Sequence, residues 1–257
     1  MSEPLLDVRQ LTKSFGGVIA NNAIDLVVAR GEIHALIGPN GAGKTTFISQ
    51  IAGQLVPSSG SIRFDGHDVT ALPPHQRAGL GLARSFQITS IFPTFSVLEN
   101  VALAAQARCG HSFRFWAAAQ ADDEINTRAH AALRQVGLEA KAATIAADMS
   151  HGEHRQLEIA MALASEPKLL LMDEPTSGMG PNESQQLVSL LRRIRERHTI
   201  LLVEHDMDVV FSLADRITVL DNGRSIAAGG VAEIRENAQV RLAYLGKDTT
   251  KAFPFNA

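Results

Sequence analysis

Among the 257 residues there is one cysteine, one tryptophan and one tyrosine. Cys109 has no partner in the chain, so no disulfide framework holds the fold and a reducing cytosol is expected. No apolar run reaches the ~18 residues that suggest a membrane-spanning helix. The opening MSEPLLDVRQ lacks a basic stretch followed by an apolar one, which predicts no secretory signal. Charge of neither sign dominates: 27 acidic and 24 basic side chains leave a net charge of −3. That balance argues against a polybasic protein, and no nucleic-acid partner is expected. Internal repeats and low-complexity tracts are missing too. What is present is ordinary globular composition, 45% hydrophobic and 20% charged, in a length that suits one large domain or a core with a sub-domain.

Short β-type runs recur along the chain: LLDVRQL near the start, IDLVV at 24–28, EIHALIG at 32–38, LLLMD at 169–173, TILLVE at 199–204 and RITVLD at 216–221. Helical stretches separate several of them, which predicts an α/β domain with a largely parallel sheet. LLLMD and TILLVE are apolar without alternation and are expected to be buried central strands. Between Pro93 and Pro167 there is no proline, and 16 of the 47 residues from Val101 to Ala147 are alanine. Alanine is the best helix former, so an all-helical insertion is predicted, broken at CGHS (109–112).

The segment GPNGAGKTT, from Gly38 to Thr46, satisfies the spacing G-x-x-x-x-G-K-[ST] between a predicted strand and a predicted helix. Gly38, Pro39, Asn40, Gly41, Ala42 and Gly43 form a loop whose backbone N–H groups can curl around a phosphate, with a helix N-terminus behind it. Lys44 is expected to reach the β- and γ-phosphates, Thr45 to ligate Mg²⁺ and Thr46 to serve the α-phosphate. Asp173 and Glu174 end an apolar strand, where open α/β sheets bind ligands. Two acids there are costly unless they meet a cation or water. Asp173 is the second candidate anchor for Mg²⁺, and Glu174 the candidate base for the attacking water. His205, after the next strand, is placed to sense a γ-phosphate. HGEH (151–154) carries neither HExxH spacing nor a Cys partner, so no zinc site is expected.

These residues, in this order, resemble the nucleotide-binding subunit of ATP-binding-cassette (ABC) transporters over roughly residues 5–245. The resemblance implies a P-loop NTPase core with a mostly parallel sheet, an antiparallel β subdomain and an inserted α-helical subdomain. The implied organisation is a core over 1–87 and 157–246, a helical subdomain over 88–156 and a flexible tail over 247–257. In RSFQ, Gln87 matches the family's Q-loop glutamine, which touches Mg²⁺ or the attacking water. In KSFGG, Phe15 matches the aromatic residue that stacks on adenine. MSHGEHRQLEIAMALA resembles the family signature LSGGQ, with Ser150, Gly152 and Glu153 aligned to its S, fourth-position G and Q. Ser150-x-x-Glu153 before an apolar helix is equally a capping box. The family reading implies a head-to-tail dimer with two ATPs sandwiched between P-loop and signature. Three positions depart from the pattern: Met149 and His151 replace the signature's leucine and first glycine, and Gly180 stands where many cassettes carry an aspartate.

RSFQ, the Ala-rich insertion, VEHDMDVVFSLADRITVLDNGR and RLAYLGKD together resemble the branched-chain amino-acid uptake cassettes. That resemblance implies a second ATPase subunit (identical or related), two integral-membrane permease subunits, and an extracytoplasmic substrate-binding protein. It also implies a place on the cytoplasmic face of the inner membrane. The alternatives are importers of urea, amides or aromatic acids, and a lipid or polysaccharide exporter. Chromosome-associated ABC ATPases need a long coiled coil, for which the roughly 105 residues between P-loop and signature leave no room. Ile91, Phe92 and Phe95 are expected to supply part of a groove for a cytoplasmic helix of the membrane subunit.

Overall fold

Alternation of apolar and polar residues builds the first sheet. β1 (Leu6–Phe15) and β2 (Val18–Val28) form an antiparallel hairpin in which Leu6, Val8 and Leu11 face Val28, Leu26 and Ile24. All six side chains are buried, the pattern of a sheet with one covered face. β4 (Ser59–Phe64) pairs with the other edge of β1, and β5 (His67–Asp68) closes the order β2-β1-β4-β5. The computed structural model describes residues 3–84, 91–108 and 123–245. Cys109, the CGHS break, Gln87 and the tail over 247–257 lie outside these residues.

The second sheet is made from the continuous apolar runs. β3 (Ile33–Ile37), β7 (Leu169–Asp173) and β8 (Thr199–Val203) are buried at every position. With β6 (Leu82–Arg84), β9 (Arg216–Asp221) and β10 (Arg224–Gly229) they give the order β10-β9-β3-β8-β7-β6. All neighbours are parallel except β9 and β10. Those two turn at Asn222–Gly223, where both residues have positive φ (46° and 75°), as a type I′ hairpin turn requires. Burial on both faces explains the lack of alternation. On β7, Leu169 and Leu171 pack toward α1 (Lys44–Ile51) and the antiparallel sheet, while Leu170 and Met172 pack toward the helical side.

On the helical side, α3 (Val97–Arg108), α4 (Asp123–Val136) and α5 (His151–Leu163) contact one another. Val97, Val101 and Ala105 on α3 meet Ile125, Ala129, Ala132, Leu133 and Val136 on α4, i/i+4 stripes facing a shared core. The stretch from 137 to 150 departs from the all-helical expectation. Gly137 (φ 81°) ends α4, with Leu138 N–H donating to Leu133 O at 2.9 Å and Gly137 N–H to Arg134 O at 3.2 Å, a Schellman stop. The chain then reaches α5 through 3₁₀ turns at Glu139–Lys141 and Ala146–Asp148. Alanine content could not reveal this, because one residue in the left-handed region is enough to end a helix.

The remaining helices are α2 (Pro74–Leu80), α6 (Pro181–Ile194), α7 (Met207–Leu213), α8 (Val231–Glu236) and α9 (Ala238–Leu245). Among the described residues no helix is long and apolar enough to cross a membrane. The parallel topology puts the carboxyl ends of β3, β7 and β8 side by side, so Gly38, Glu174 and Glu204 each leave the sheet at the same rim.

Candidate functional site

At that rim the P-loop wraps from β3 into α1. Gly43 has φ 98°, and a Cβ there would lie 2.5 Å from the Ala20 carbonyl and 2.6 Å from Asn21 Nδ2. Only glycine both adopts that φ and permits that approach. The loop is also fastened from outside. Fully buried Asn21 donates from Nδ2 to Gly43 O at 3.1 Å and accepts from Gln50 Nε2 at 2.8 Å. Gly223 N–H donates to Ala42 O at 3.1 Å. Arg77, fully buried on α2, donates to Gln50 O and Ile51 O, both at 2.7 Å, and so satisfies the carboxyl end of α1. Burial raises the phenol of Tyr244 on α9 above its ordinary pKa, and the nearby Gly38 backbone opposes that shift.

Lys44 is 6% exposed, and its ammonium donates to Gly38 O at 2.6 Å and Pro39 O at 3.1 Å. Burial lowers its pKa from the ordinary lysine value, and the charges of Glu174 and Asp173 oppose that shift. Around it lies a cavity of about 430 Å³, lined among others by Val18, Ile19, Gly41, Lys44, Thr45, Thr46 and Glu174. An open cleft with an apolar wall at one end and convergent N–H groups and a cation at the other suits a nucleotide. Phe15 stands at the end of β1, 49% exposed, with Lys13 Nζ 5.2 Å from its ring centre. Val18 and Ile19, rather than Phe15, form the cavity wall.

Asp173 ends β7 and is 5% exposed; Arg84 Nη2 donates to its Oδ2 at 2.9 Å. Glu174 follows with φ 47°, a left-handed conformation that is uncommon outside glycine and that cross-chain bonds must hold in place. One such bond runs from Glu174 N–H to Val203 O at 2.8 Å. The turn aims Glu174 into the cavity, and His205 Nδ1 stands 3.8 Å from Glu174 Oε1.

Ser150 is the N-cap of α5. Its Oγ accepts from Glu153 N–H at 3.4 Å, and Glu153 Oε2 accepts from Ser150 N–H at 2.9 Å. The capping box is therefore formed. Lys141, by hydrogen bonding, and Ser150 hold the Glu153 carboxyl below its ordinary range. An added Cβ at Gly152 would meet Glu183 Oε1 at 3.3 Å, so the start of α5 lies against the start of α6. None of residues 150–153 lines the nucleotide-sized cavity. The structure thus brings the P-loop, Asp173, Glu174 and His205 together and leaves Ser150, Gly152 and Glu153 on a separate surface. Sequence reasoning missed Arg84, Asn21, Gln50, Glu204 and Tyr244. Each acts across strands far apart in the chain, and no local spacing marks them.

A protein-family model described as ABC transporter matches residues 21–177. The chain belongs to the ABC transporter family. The BraF protein of Pseudomonas aeruginosa, described as a high-affinity branched-chain amino acid transport ATP-binding protein, is 37% identical over 254 residues, spanning 96% of this chain and all of that protein. LivG of Escherichia coli, described in the same words, is 38% identical over 259 residues with the same coverage. The solved ADP conformation of an ATP-binding cassette of an ABC transporter superposes with a TM-score of 0.86 at 28% identity, covering 96% of this chain and all of that one. The cassette fold is shared over 96% of the chain. The cassette binds ATP and is an ATPase.

Proposed function

We propose that this cassette is the ATP-hydrolysing subunit of an importer for branched-chain or other hydrophobic amino acids. The observation that carries the chemistry is the meeting of Lys44, Thr45 and Glu174 in one cavity, with the Asp173 charge acting on Lys44 and His205 3.8 Å from Glu174. The cargo reading is supported by 37% and 38% identity to BraF and LivG over 96% of the chain.

In this reading the loop from Gly38 to Thr46 cradles the phosphates and Lys44 neutralises the β- and γ-oxygens. The Thr45 hydroxyl and the Asp173 carboxylate are hard oxygen donors of the kind Mg²⁺ takes, and Gln87 is the third candidate. When bound, Mg²⁺ would supply positive charge that offsets the negative charge of the phosphates. Glu174 orients the attacking water and accepts its proton, and His205 donates to the γ-phosphate. Phe15 stacks on adenine beside the Val18–Ile19 wall. Ser150, Gly152 and Glu153 present the N-terminus of α5 to ATP held by a second, head-to-tail ATPase subunit, which agrees with their absence from this chain's own cavity.

The partners are that second subunit, two permease subunits at the cytoplasmic face of the inner membrane, and an extracytoplasmic binding protein. The nucleotide-binding core over 1–87 and 157–246 drives them through the helical subdomain over 88–156. Phe92 and Phe95 are 45% and 41% exposed and stack at 5.3 Å, while Ile91 packs inward. The stacked pair supports the reading of a permease-helix groove.

Reconstitution with the native membrane subunits tests the proposal. ATPase stimulation is expected when the binding protein carries leucine, isoleucine or valine. Stimulation only by urea, amides or aromatic acids moves the cargo to those classes, and a cassette recovered without membrane partners refutes the importer. Replacing Phe92 with Glu is expected to abolish uptake while leaving basal ATPase activity; unchanged uptake removes the groove.

A further inference from the structure

Glu204, the residue before His205, is fully buried at the carboxyl end of β8. Its two oxygens serve two different loops. Oε1 accepts from the backbone N–H of Thr176 at 3.0 Å and from the Thr176 hydroxyl. Oε2 accepts from the backbone N–H of His205 at 2.9 Å and of Asp206 at 3.3 Å. His205 Nδ1 is 3.8 Å from Glu204 Oε2 and 3.8 Å from Glu174 Oε1. Among the described residues His205 is the one basic side chain within 4 Å of Glu204.

A buried carboxylate with no strong cation beside it is tolerated only when several donors satisfy it, and here four do. A carboxylate accepts in several directions and donates in none, so it can join two sets of N–H groups that point at each other. The first loop starts with Glu174, held at φ 47°, and continues through Thr176. The second starts with His205. Together with the Glu174 N–H bond to Val203 O, Glu204 ties the turn after β7 to the turn after β8. Movement of the His205 backbone therefore pulls on Thr176 and, through it, on the turn that aims Glu174.

We propose that Glu204 is a positioning residue that makes the geometry of Glu174 depend on that of His205, so the base is aligned only when His205 is seated. The proposal rests on the roles given above to Glu174 and His205. It does not make Glu204 a catalytic residue, since the carboxylate is sealed from the cavity and acts through its neighbours.

Glu204→Gln keeps the shape but places an amide N–H₂ against backbone donors. Steady-state ATPase kinetics are expected to show kcat about tenfold lower with KM for ATP within about twofold of the parent, the signature of a loss confined to the chemical step. Thr176→Val deletes one hydroxyl donor and is expected to lower kcat in the same way. Thr176→Ser restores the donor and should restore kcat. If Glu204→Gln does not fold, the Thr176 pair decides alone. Parental kcat in folded Glu204→Gln or in Thr176→Val, or a serine variant as impaired as the valine, overturns the proposal. Glu174→Gln in the same assay separates the two readings. If it turns over at the parent rate, the base assignment fails. If it is inactive while Thr176→Val keeps parental kcat, only the coupling through Glu204 falls.

Discussion

Arg84→Met tests whether the Asp173 carboxylate is held by one cation that another can replace. The side chains of Arg84 and Asp173 are 12% and 2% exposed, and their 2.9 Å contact is the closest cationic contact of Asp173 among the described residues. Methionine has similar reach but neither charge nor donor. Removing one member of a buried ion pair costs ~3–5 kcal/mol, because the other charge stays buried. Here the Lys44 charge also acts on Asp173, and Arg84 retains some contact with water, so we expect about 2–3 kcal/mol. For a chain of this size that corresponds to about 5–10 °C in the thermal midpoint. The assay is thermal unfolding of Arg84→Met in a Glu174→Gln background, which keeps ATP intact. It is run in EDTA, with ATP and EDTA, and with ATP and Mg²⁺. The midpoint loss is expected in the first two conditions. It should shrink to less than half with ATP and Mg²⁺, since a ligand that binds only the folded state stabilises it and a divalent cation would satisfy the same carboxylate. No loss in EDTA, or an equal loss in all three conditions, refutes the reasoning.

Glu174→Gln is expected to retain ATP binding and lower turnover by about 10²–10⁴, the usual contribution of a general base; equilibrium binding and phosphate release measure the two separately. Gly43→Ala forces an L-residue to φ 98° and sets a Cβ 2.5 Å from the Ala20 carbonyl. It should cost at least about 2 kcal/mol in urea denaturation and weaken ATP binding. Glu153→Ala removes half of the capping box and should cost about 1 kcal/mol at neutral pH. Because Lys141 and Ser150 depress the folded pKa of Glu153, its contribution is fully present above the ordinary carboxylate value and is lost as pH falls through the folded one. The stability gap between parent and Glu153→Ala should therefore close on acidification; a gap constant down to pH 3 contradicts the cap.

What the chain determined locally was legible in the sequence. The P-loop spacing, the apolar runs of β3, β7 and β8, the acids that end β7 and the Ser150 capping box each need only neighbours within a few residues. β6, with three residues, and β10, which opens on Arg224 and Ser225 and ends in small residues, gave no such signal, because edge strands are defined by the strand beside them rather than by their own hydrophobicity. Gln87 lies outside the described residues, and its role rests on the RSFQ resemblance alone.

Tertiary structure decided which charges meet. Arg84 reaches Asp173 across 89 positions, Thr176 reaches Glu204 across 28, and Gln50 reaches Asn21 across 29. The first two contacts exist because parallel pairing sets β6, β7 and β8 in one register and gathers their carboxyl ends at one rim; the third exists because α1 packs against β2. The sequence by itself determined that phosphate-binding and acidic groups are present and at which strand ends they sit. Only the folded sheet determined their distances and the buried partners that hold them, because pairing between distant strands is a property of the whole core and not of any segment within it.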